Sequence, residues 1–235
     1  MVEQPPKGIE SDPPKNCSTC ERAERYCVCE FITPVATKTK LLILQHPQEP
    51  GVDIGTAPII QATFPGTIIR TGLSWPNLKK ALGREATPSR WGVLYLGSVR
   101  TESLPRDREL FVVDKNGNPR ADQDTVLKQL EGIVLLDGTW SQAKTLWWRN
   151  AWLLKLTRLV IRTERRSLYD AIRKEPRQGC LSTLETAGET LRILETNQEI
   201  IPAIERPLHE RVKRLKRHRP PNRRSQNRYF SRRRR

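Results

Sequence analysis

The chain has 235 residues, enough for one α/β domain with small additions or for two small domains. It carries 42 lysine and arginine residues against 26 acidic ones, a net charge of +16 at pH 7. No run of 18 apolar residues is present, and the first residues lack the apolar stretch of an export signal. We therefore expect a protein with no membrane contact, located in the cytoplasm, or in the nucleus if its source is eukaryotic.

The excess positive charge lies in the C-terminal segment. Residues 206–235 contain 14 lysine or arginine residues and one acid, Glu210, which leaves a net charge of only +3 for residues 1–205. Such a segment has too little apolar surface to fold alone, so a flexible basic tail is predicted for 206–235. Cationic tails bind the phosphate backbone by releasing counterions, which favours nucleic acid as the partner. A solubilising tail or a nuclear address is the alternative.

Four closely spaced cysteines follow a flexible N-terminal stretch, 1–14. Their arrangement is C-x2-C-x6-C-x-C, formed by Cys17, Cys20, Cys27 and Cys29. In a reducing compartment this pattern favours metal binding over disulfides. Four thiolates suit a closed, tetrahedral and therefore structural Zn²⁺ site, predicted for residues 15–35. An iron–sulfur cluster and four free thiols are the competing interpretations, and the isolated Cys180 is expected to be a packing residue.

Strand-like and helix-like segments alternate along the following chain. The predicted strands are 41–45, one near 67–71 drawn from APIIQATF and TIIRT, 91–98, 109–114, 132–136 and 158–163. The predicted helices are 73–82, 122–130, one beginning near Ser141, and a last one over 184–197. This alternation predicts a mostly parallel α/β sheet with helices on both faces, spanning 36–205. Neither common nucleotide-binding glycine motif is present.

Polar and small residues follow three of these strands and open the last helix. They are the segments HPQEPG (46–51), LGS (96–98), DGTW (137–140) and GCLSTLE (179–185). Because ligands of open α/β sheets bind at the carboxyl ends of the strands, we expect these segments to converge on a pocket. Such a pocket suits an adenosyl ligand bound largely through backbone groups. The alternative for Asp137 is that it only caps the helix that follows it.

The cysteine cluster and the segments LQHPQE, LDGTWSQAK, SLYDAIRKEPRQG and LSTLETAGETL occur in this order over residues 15–200. Together they resemble the DTW-domain family, whose members are tRNA-uridine aminocarboxypropyltransferases. The resemblance implies a SPOUT-like fold, S-adenosylmethionine as an alkyl donor, tRNA as the partner, and a 3-amino-3-carboxypropyl group transferred to uridine N3 (acp3U). The by-product implied is 5′-methylthioadenosine. The chain departs from the family at Thr186, where relatives typically carry alanine, and at LYLGS (94–98), where they often carry proline.

Roles for individual residues follow from the strand ends and the resemblance together. We expect Asp137 to accept the uridine N3 proton and Trp140 to stack on a base or on the adenine ring. The expected donor-binding residues are Leu96, Gly97, Ser98, Leu136, Gly138, Thr139, Ser182, Thr183 and Glu185. The expected substrate-binding residues are His46, Glu49 and Arg173. Trp147, Trp148 and Trp152 are expected in the core or an interface.

Two other functions are compatible with the sequence. A SPOUT-type RNA methyltransferase would use the same donor but transfer a different carbon. A zinc-containing RNA-binding module would bind RNA without catalysis. No protein partner is evident from the sequence.

Overall fold

The computed structural model describes residues 16–20, 22–168 and 181–218, which are built around one six-stranded sheet. The strands are β1 (Lys40–Gln45), β2 (Ile68–Thr71), β3 (Trp91–Leu94), β4 (Leu110–Val112), β5 (Gly132–Asp137) and β6 (Thr157–Ile161). Their order is β2-β1-β5-β3-β6-β4. All neighbours pair in parallel except β4, which is antiparallel at the edge. The predicted mostly parallel α/β sheet is confirmed.

Helices cover both faces of the sheet. They are α1 (Ala57–Thr63), α2 (Leu78–Leu82), α3 (Gln123–Lys128), α4 (Trp140–Arg149), α5 (Thr183–Glu195) and α6 (Ile200–His218). Helices α1, α5 and α6 pack against one face, and α2 together with the 3-10 turn Ala151–Lys155 packs against the other.

The central strands are apolar on both faces, as buried parallel strands must be. In β1, Leu41 and Ile43 belong to the core under α1, α5 and α6, whereas Leu42 and Leu44 belong to the opposite core. All four side chains are almost completely buried. Because β1 and β5 lie between these two cores, their carboxyl ends are fixed at the same edge of the sheet.

Three elements differ from their predicted extent. The stretch APIIQAT forms helix α1 rather than part of a strand, since Pro58 occupies the first turn of a helix, where a missing N–H is tolerated. Strand β3 ends at Leu94 instead of continuing to 98, and Tyr95–Ser98 forms a loop. Helix α2 begins only after Asn77, whose side chain accepts a hydrogen bond from the Lys80 backbone N–H at 2.9 Å.

Helix α6 was not expected from the sequence, and it changes the predicted boundary at residue 205. Residues 206–218 continue this helix and are folded onto the domain, not a flexible tail. Its buried side chains recur at helical spacing: Ile200, Ala203, Ile204, Pro207, Leu208, Arg211, Val212 and Leu215. The abundance of arginine and lysine hides this apolar stripe in the composition. Residues 219–235 of the predicted tail lie outside the described residues.

Close packing of α5 and α6 depends on Gly188. A Cβ atom at this position would lie 2.0 Å from Ile204 Cδ1, a distance no real contact tolerates.

Among the described residues, no helix has both the length and the apolarity required to cross a bilayer.

We predict that Leu208→Ala destabilises the protein by about 2–5 kcal/mol, because it empties a fully buried position between α6 and the core. Urea unfolding measures this free energy. Lys216→Ala on the exposed side of the same helix is the matched control and should change it by no more than about 0.5 kcal/mol. Equal stability of the two variants would contradict the packing of α6.

Candidate active site and cysteine cluster

A cavity of about 970 Å³ lies at the carboxyl edge of the sheet. Its walls come from the end of β5, the loop that follows β3, the first turns of α4 and α5, and part of β6. The volume lies near the upper end of the range for small-molecule sites. The convergence predicted from the strand ends therefore produces a real concave site.

Asp137, the last residue of β5, is held in this cavity by two hydrogen bonds. One carboxylate oxygen accepts from Gln45 Nε2 at 3.0 Å, and the other accepts from Thr183 Oγ1 at 2.7 Å. The Gln45 amide is itself oriented by Thr71, whose hydroxyl donates to Gln45 Oε1 at 3.1 Å. Asp137 is only 4% exposed and lines the cavity. Its carboxylate thus joins strands β1 and β5 to the start of α5.

The residues after Asp137 shape the turn into α4. A Cβ atom on Gly138 would lie 2.8 Å from Gln142 Cβ, so glycine permits the tight approach of strand and helix. Thr139 is the N-cap of α4 and forms a reciprocal capping box with Gln142. The alternative role of Asp137 as the helix cap is therefore wrong. Trp140 begins the helix, lines the cavity and is 45% exposed.

The start of α5 is also a capping box. Ser182 is the N-cap, and its backbone N–H donates a hydrogen bond to the Glu185 carboxylate at 2.9 Å. The Glu185 carboxylate further accepts from Ser167 Oγ and from the Leu168 backbone N–H, both at 2.7 Å. Glu185 consequently holds the chain after β6 against α5, while Ser182 and Thr183 line the cavity.

The loop after β3 forms another part of the cavity wall. Arg158, on β6, reaches into this loop and donates to the carbonyl oxygens of Tyr95 at 3.0 Å and Leu96 at 2.6 Å. Burial lowers the pKa of the Arg158 guanidinium from its ordinary value. The Tyr95 ring stacks on Trp147, with ring centroids 4.1 Å apart. A partly desolvated cation therefore lies in the wall of the cavity.

The turn after β1 lies beside Asp137. The His46 backbone N–H donates to the Asp137 carbonyl oxygen at 3.0 Å, and His46 Nδ1 accepts from the Gln48 backbone N–H at 3.3 Å. The side chain of Gln48 in turn contacts Gln142 on α4. Glu49 is buried and lines the cavity, whereas His46 is not part of its lining. The structure therefore gives His46 a place in the support of the site.

Most of the predicted site residues come together. The cavity lining includes Leu96, Gly97, Ser98, Leu136, Asp137, Gly138, Trp140, Ser182, Thr183 and Glu49. Thr139, Glu185 and His46 are outside the lining, and the first two act as helix-capping residues. Arg173 and Cys180 lie outside the described residues.

Among the lining residues that were not predicted from the sequence, four can contact a charged or aromatic ligand, and three of them are cationic. Lys115, Lys144, Arg158 and Trp148 all line the cavity. Arg158 lies inside a strand and Lys115 in a turn, so neither position carries a signal in the sequence. Of the tryptophans expected in the core or an interface, Trp152 is buried, whereas Trp148 is 71% exposed and therefore not in the core. The four-residue spacing of Trp140, Lys144 and Trp148 is the one pattern that links them to the site.

The four cysteines form a second, separate cluster. All four sulfur atoms lie within 4.8 Å of one another, with 3.9 Å between Cys17 and Cys29 and 3.8 Å between Cys20 and Cys27. Sulfurs bound at about 2.3 Å to one tetrahedral ion are separated by about 3.8 Å. The cluster therefore fits a single metal ion. A cation bound there would favour the thiolate form of all four side chains.

Helix α6 holds the cysteine segment against the domain. The Arg211 guanidinium, only 1% exposed, donates to the carbonyl oxygens of Tyr26 and Asp53. Arg214 donates to the Cys27 carbonyl oxygen and pairs with a nearby glutamate. These two arginines come from the segment predicted to be a tail. They hold the cysteine segment in place, so this part of the positive charge stabilises the fold.

The sequence pattern of the DTW domain matches residues 14–216, most of the chain and the whole of the site just described. The chain belongs to the DTW-domain family. The match also extends past residue 205 into α6, in agreement with the folded position of that helix.

Curated relatives of this chain include proteins named tRNA-uridine aminocarboxypropyltransferase 2. The one from Drosophila melanogaster is 32% identical over 209 residues, covering 86% of this chain and 76% of the fly protein. Those from Macaca fascicularis and Mus musculus are 30% and 32% identical, covering 82% of this chain and 60% of each relative. The chain thus spans about three fifths of the length of the two mammalian relatives. No solved structure matches the chain.

We expect the intact cluster to bind about one metal ion per chain. We predict that Cys27→Ser lowers this metal content well below that value, because a tetrahedral site needs all four ligands. Mass spectrometry of the purified protein for its elemental content measures this. Cys180→Ser makes the same chemical change at a cysteine that does not belong to the C-x2-C-x6-C-x-C pattern and should keep the metal. Equal metal content in both variants would contradict the assignment of the ligands.

Proposed function

We propose that this protein is a tRNA-uridine aminocarboxypropyltransferase. It transfers the 3-amino-3-carboxypropyl group of S-adenosylmethionine to N3 of a uridine in tRNA and releases 5′-methylthioadenosine. The observation that carries this proposal is the position of Asp137. The carboxylate of the family motif lies in the lining of a large cavity, in a chain at least 30% identical to relatives named for that reaction.

The reaction forms one bond and breaks one. Uridine N3 bonds to the propyl carbon next to the sulfonium, the carbon–sulfur bond breaks with its electron pair going to sulfur, and the N3 proton leaves to a base. The donor supplies an activated carbon with a neutral thioether as leaving group. The protein therefore has to remove one proton and place two reactants, and placement alone accounts for about 7–11 kcal/mol in well-oriented reactions.

Asp137 is suited to accept the N3 proton. Each carboxylate oxygen has two lone pairs, and the hydrogen bonds from Gln45 and Thr183 use one on each. One lone pair per oxygen remains for the N3–H group. Because both hydrogen bonds fix the carboxylate, it needs no rearrangement when the uridine ring arrives. This favours a proton transfer at short range.

The cavity walls also contain groups that suit the donor. The guanidinium of Arg158, held by the carbonyls of Tyr95 and Leu96, supplies a partly desolvated positive charge for the carboxylate of the transferred group. The apolar side chains of Leu96 and Leu136 line the same space and suit the S-methyl group. Backbone groups of the 96–98 loop and the start of α5 then remain for the adenosine.

Several finer features belong to the same proposal. The metal of the cysteine cluster is Zn²⁺, because four thiolates in a closed tetrahedral arrangement suit that ion and leave no position for water. Its role is structural, since α6 ties the cluster to the domain. The fold is related to SPOUT proteins, as the family resemblance implies. Residues 219–235, with their clustered arginines, contact the tRNA backbone.

We predict that the purified protein, incubated with unmodified tRNA and S-adenosylmethionine, yields acp3U and 5′-methylthioadenosine. Mass spectrometry of the digested nucleosides and of the small-molecule products measures both. A methylated nucleoside with S-adenosylhomocysteine would instead identify an RNA methyltransferase. Absence of any donor binding by calorimetry would leave the RNA-binding module as the function.

We predict that Asp137→Asn lowers the rate of transfer by about 10²–10⁴-fold, the usual contribution of a general base, because the amide keeps the shape but cannot accept the proton. Single-turnover assays measure the rate. Thr183→Val is the matched control, since it removes one hydrogen bond to Asp137 but leaves the carboxylate in place, and its loss should be smaller. The reverse order would assign Asp137 a purely structural role.

A further inference from the structure

Three large apolar side chains at the mouth of the cavity are exposed to solvent. Trp148 and Leu154 are each 71% exposed and Trp140 is 45% exposed, and all three line the cavity. In the isolated protein, these exposed side chains do not gain the free energy that burial of their apolar surface would give. The packing of α4 does not depend on Trp148, because Leu146 and Trp147 are the residues of this helix that face the protein core. Its exposed position in the cavity lining leaves its ring available to a ligand.

Trp148 belongs to a regular row along α4. Trp140, Lys144 and Trp148 are spaced by four residues and therefore lie on one face of the helix, an indole at each end and an ammonium group between them. The row is about 12 Å long, the rise of eight helical residues. All three side chains line the cavity mouth, so the row leads from the outer surface to the place where Asp137 lies.

The chain segment that carries this row has charges of one sign, although Glu49, Asp114 and Asp137 line other parts of the cavity. Residues 138–163 contain no aspartate or glutamate, and they contain five cations: Lys144, Arg149, Lys155, Arg158 and Arg162. Aromatic faces interleaved with cations and free of acids suit a polyanion that carries flat rings, and that polymer is a single-stranded nucleic acid. Binding of an apolar protein partner would not require a segment without acidic residues.

We propose that this face of α4 binds the unpaired nucleotides next to the target uridine. A base stacks on the Trp148 indole, the phosphate that follows contacts Lys144, and the uridine enters the cavity beside Trp140. This inference rests on the proposed function and adds to it the face of α4 that holds the RNA strand beside the site. In an A-form duplex the bases are stacked on one another and present no face to a side chain.

The stacking role of Trp148 is tested with two substitutions that separate a π face from apolar surface. Trp148→Leu keeps an apolar side chain and removes the ring, whereas Trp148→Phe keeps a ring. The probes are an eight-nucleotide oligouridylate and an RNA duplex of the same length, titrated against the full chain without donor. We expect Trp148→Leu to weaken binding of the oligouridylate about tenfold and Trp148→Phe to restore most of it, with duplex binding equal in all three proteins.

The role of Lys144 is tested by the salt dependence of the same titration. Lys144→Gln should reduce the slope of log affinity against log salt by about 0.7, the value for one contact to a single-strand phosphate. Lys128→Gln, on the exposed surface of α3 and outside the cavity lining, should leave the slope unchanged.

Two results would overturn the inference. One is oligouridylate binding by Trp148→Leu equal to that of the unsubstituted protein, and the other is an equal loss on single strand and duplex. Neither result depends on catalysis, because the titrations contain no donor. If the unsubstituted protein forms acp3U while Trp148→Leu binds normally, the inference fails and the proposed function stands. If no acp3U forms while Trp148→Leu loses binding, the proposed function fails and the stacking site stands.

Discussion

The carboxylate of Asp137 is the point on which the geometry of the site depends. It receives a hydrogen bond from Gln45 at the end of β1 and one from Thr183 at the start of α5, and it is itself the end of β5. Three elements distant in sequence are therefore fixed around one acidic group. Burial of a carboxylate without hydrogen-bond donors costs free energy. The hydrogen bonds that connect β1 and β5 to α5 therefore also stabilise the buried Asp137.

The same arrangement explains how one short motif performs several tasks. In the segment 137–140, the aspartate is the acid, the glycine permits close packing, the threonine caps α4, and the tryptophan lies at the cavity mouth. Asp137, Gly138 and Trp140 line the cavity, whereas Thr139 does not. The glycine and the threonine place the helix so that its outer row of Trp140, Lys144 and Trp148 leads into the site.

The cysteine cluster and α6 form a second structural unit, separate from the cavity. The arginines of α6 bond to carbonyl oxygens of the cysteine segment and of the loop near Asp53, and the apolar side of the helix packs on α5. A metal ion in the cluster would therefore stabilise more than its own loop. The positive charge of the helix is divided between these internal contacts and the exposed lysines of its outer face.

The sequence by itself determined the local patterns: the alternation of strands and helices, the position of the acid at a strand end, and the spacing of four cysteines. Each depends on neighbours along the chain. The tertiary structure alone decided which of these patterns meet. Arg158 enters the cavity wall because β6 pairs with β3, and residues 206–218 fold because the apolar stripe of α6 finds α5 and the core. An amphipathic helix is stable only against a partner surface, and no composition reveals that surface.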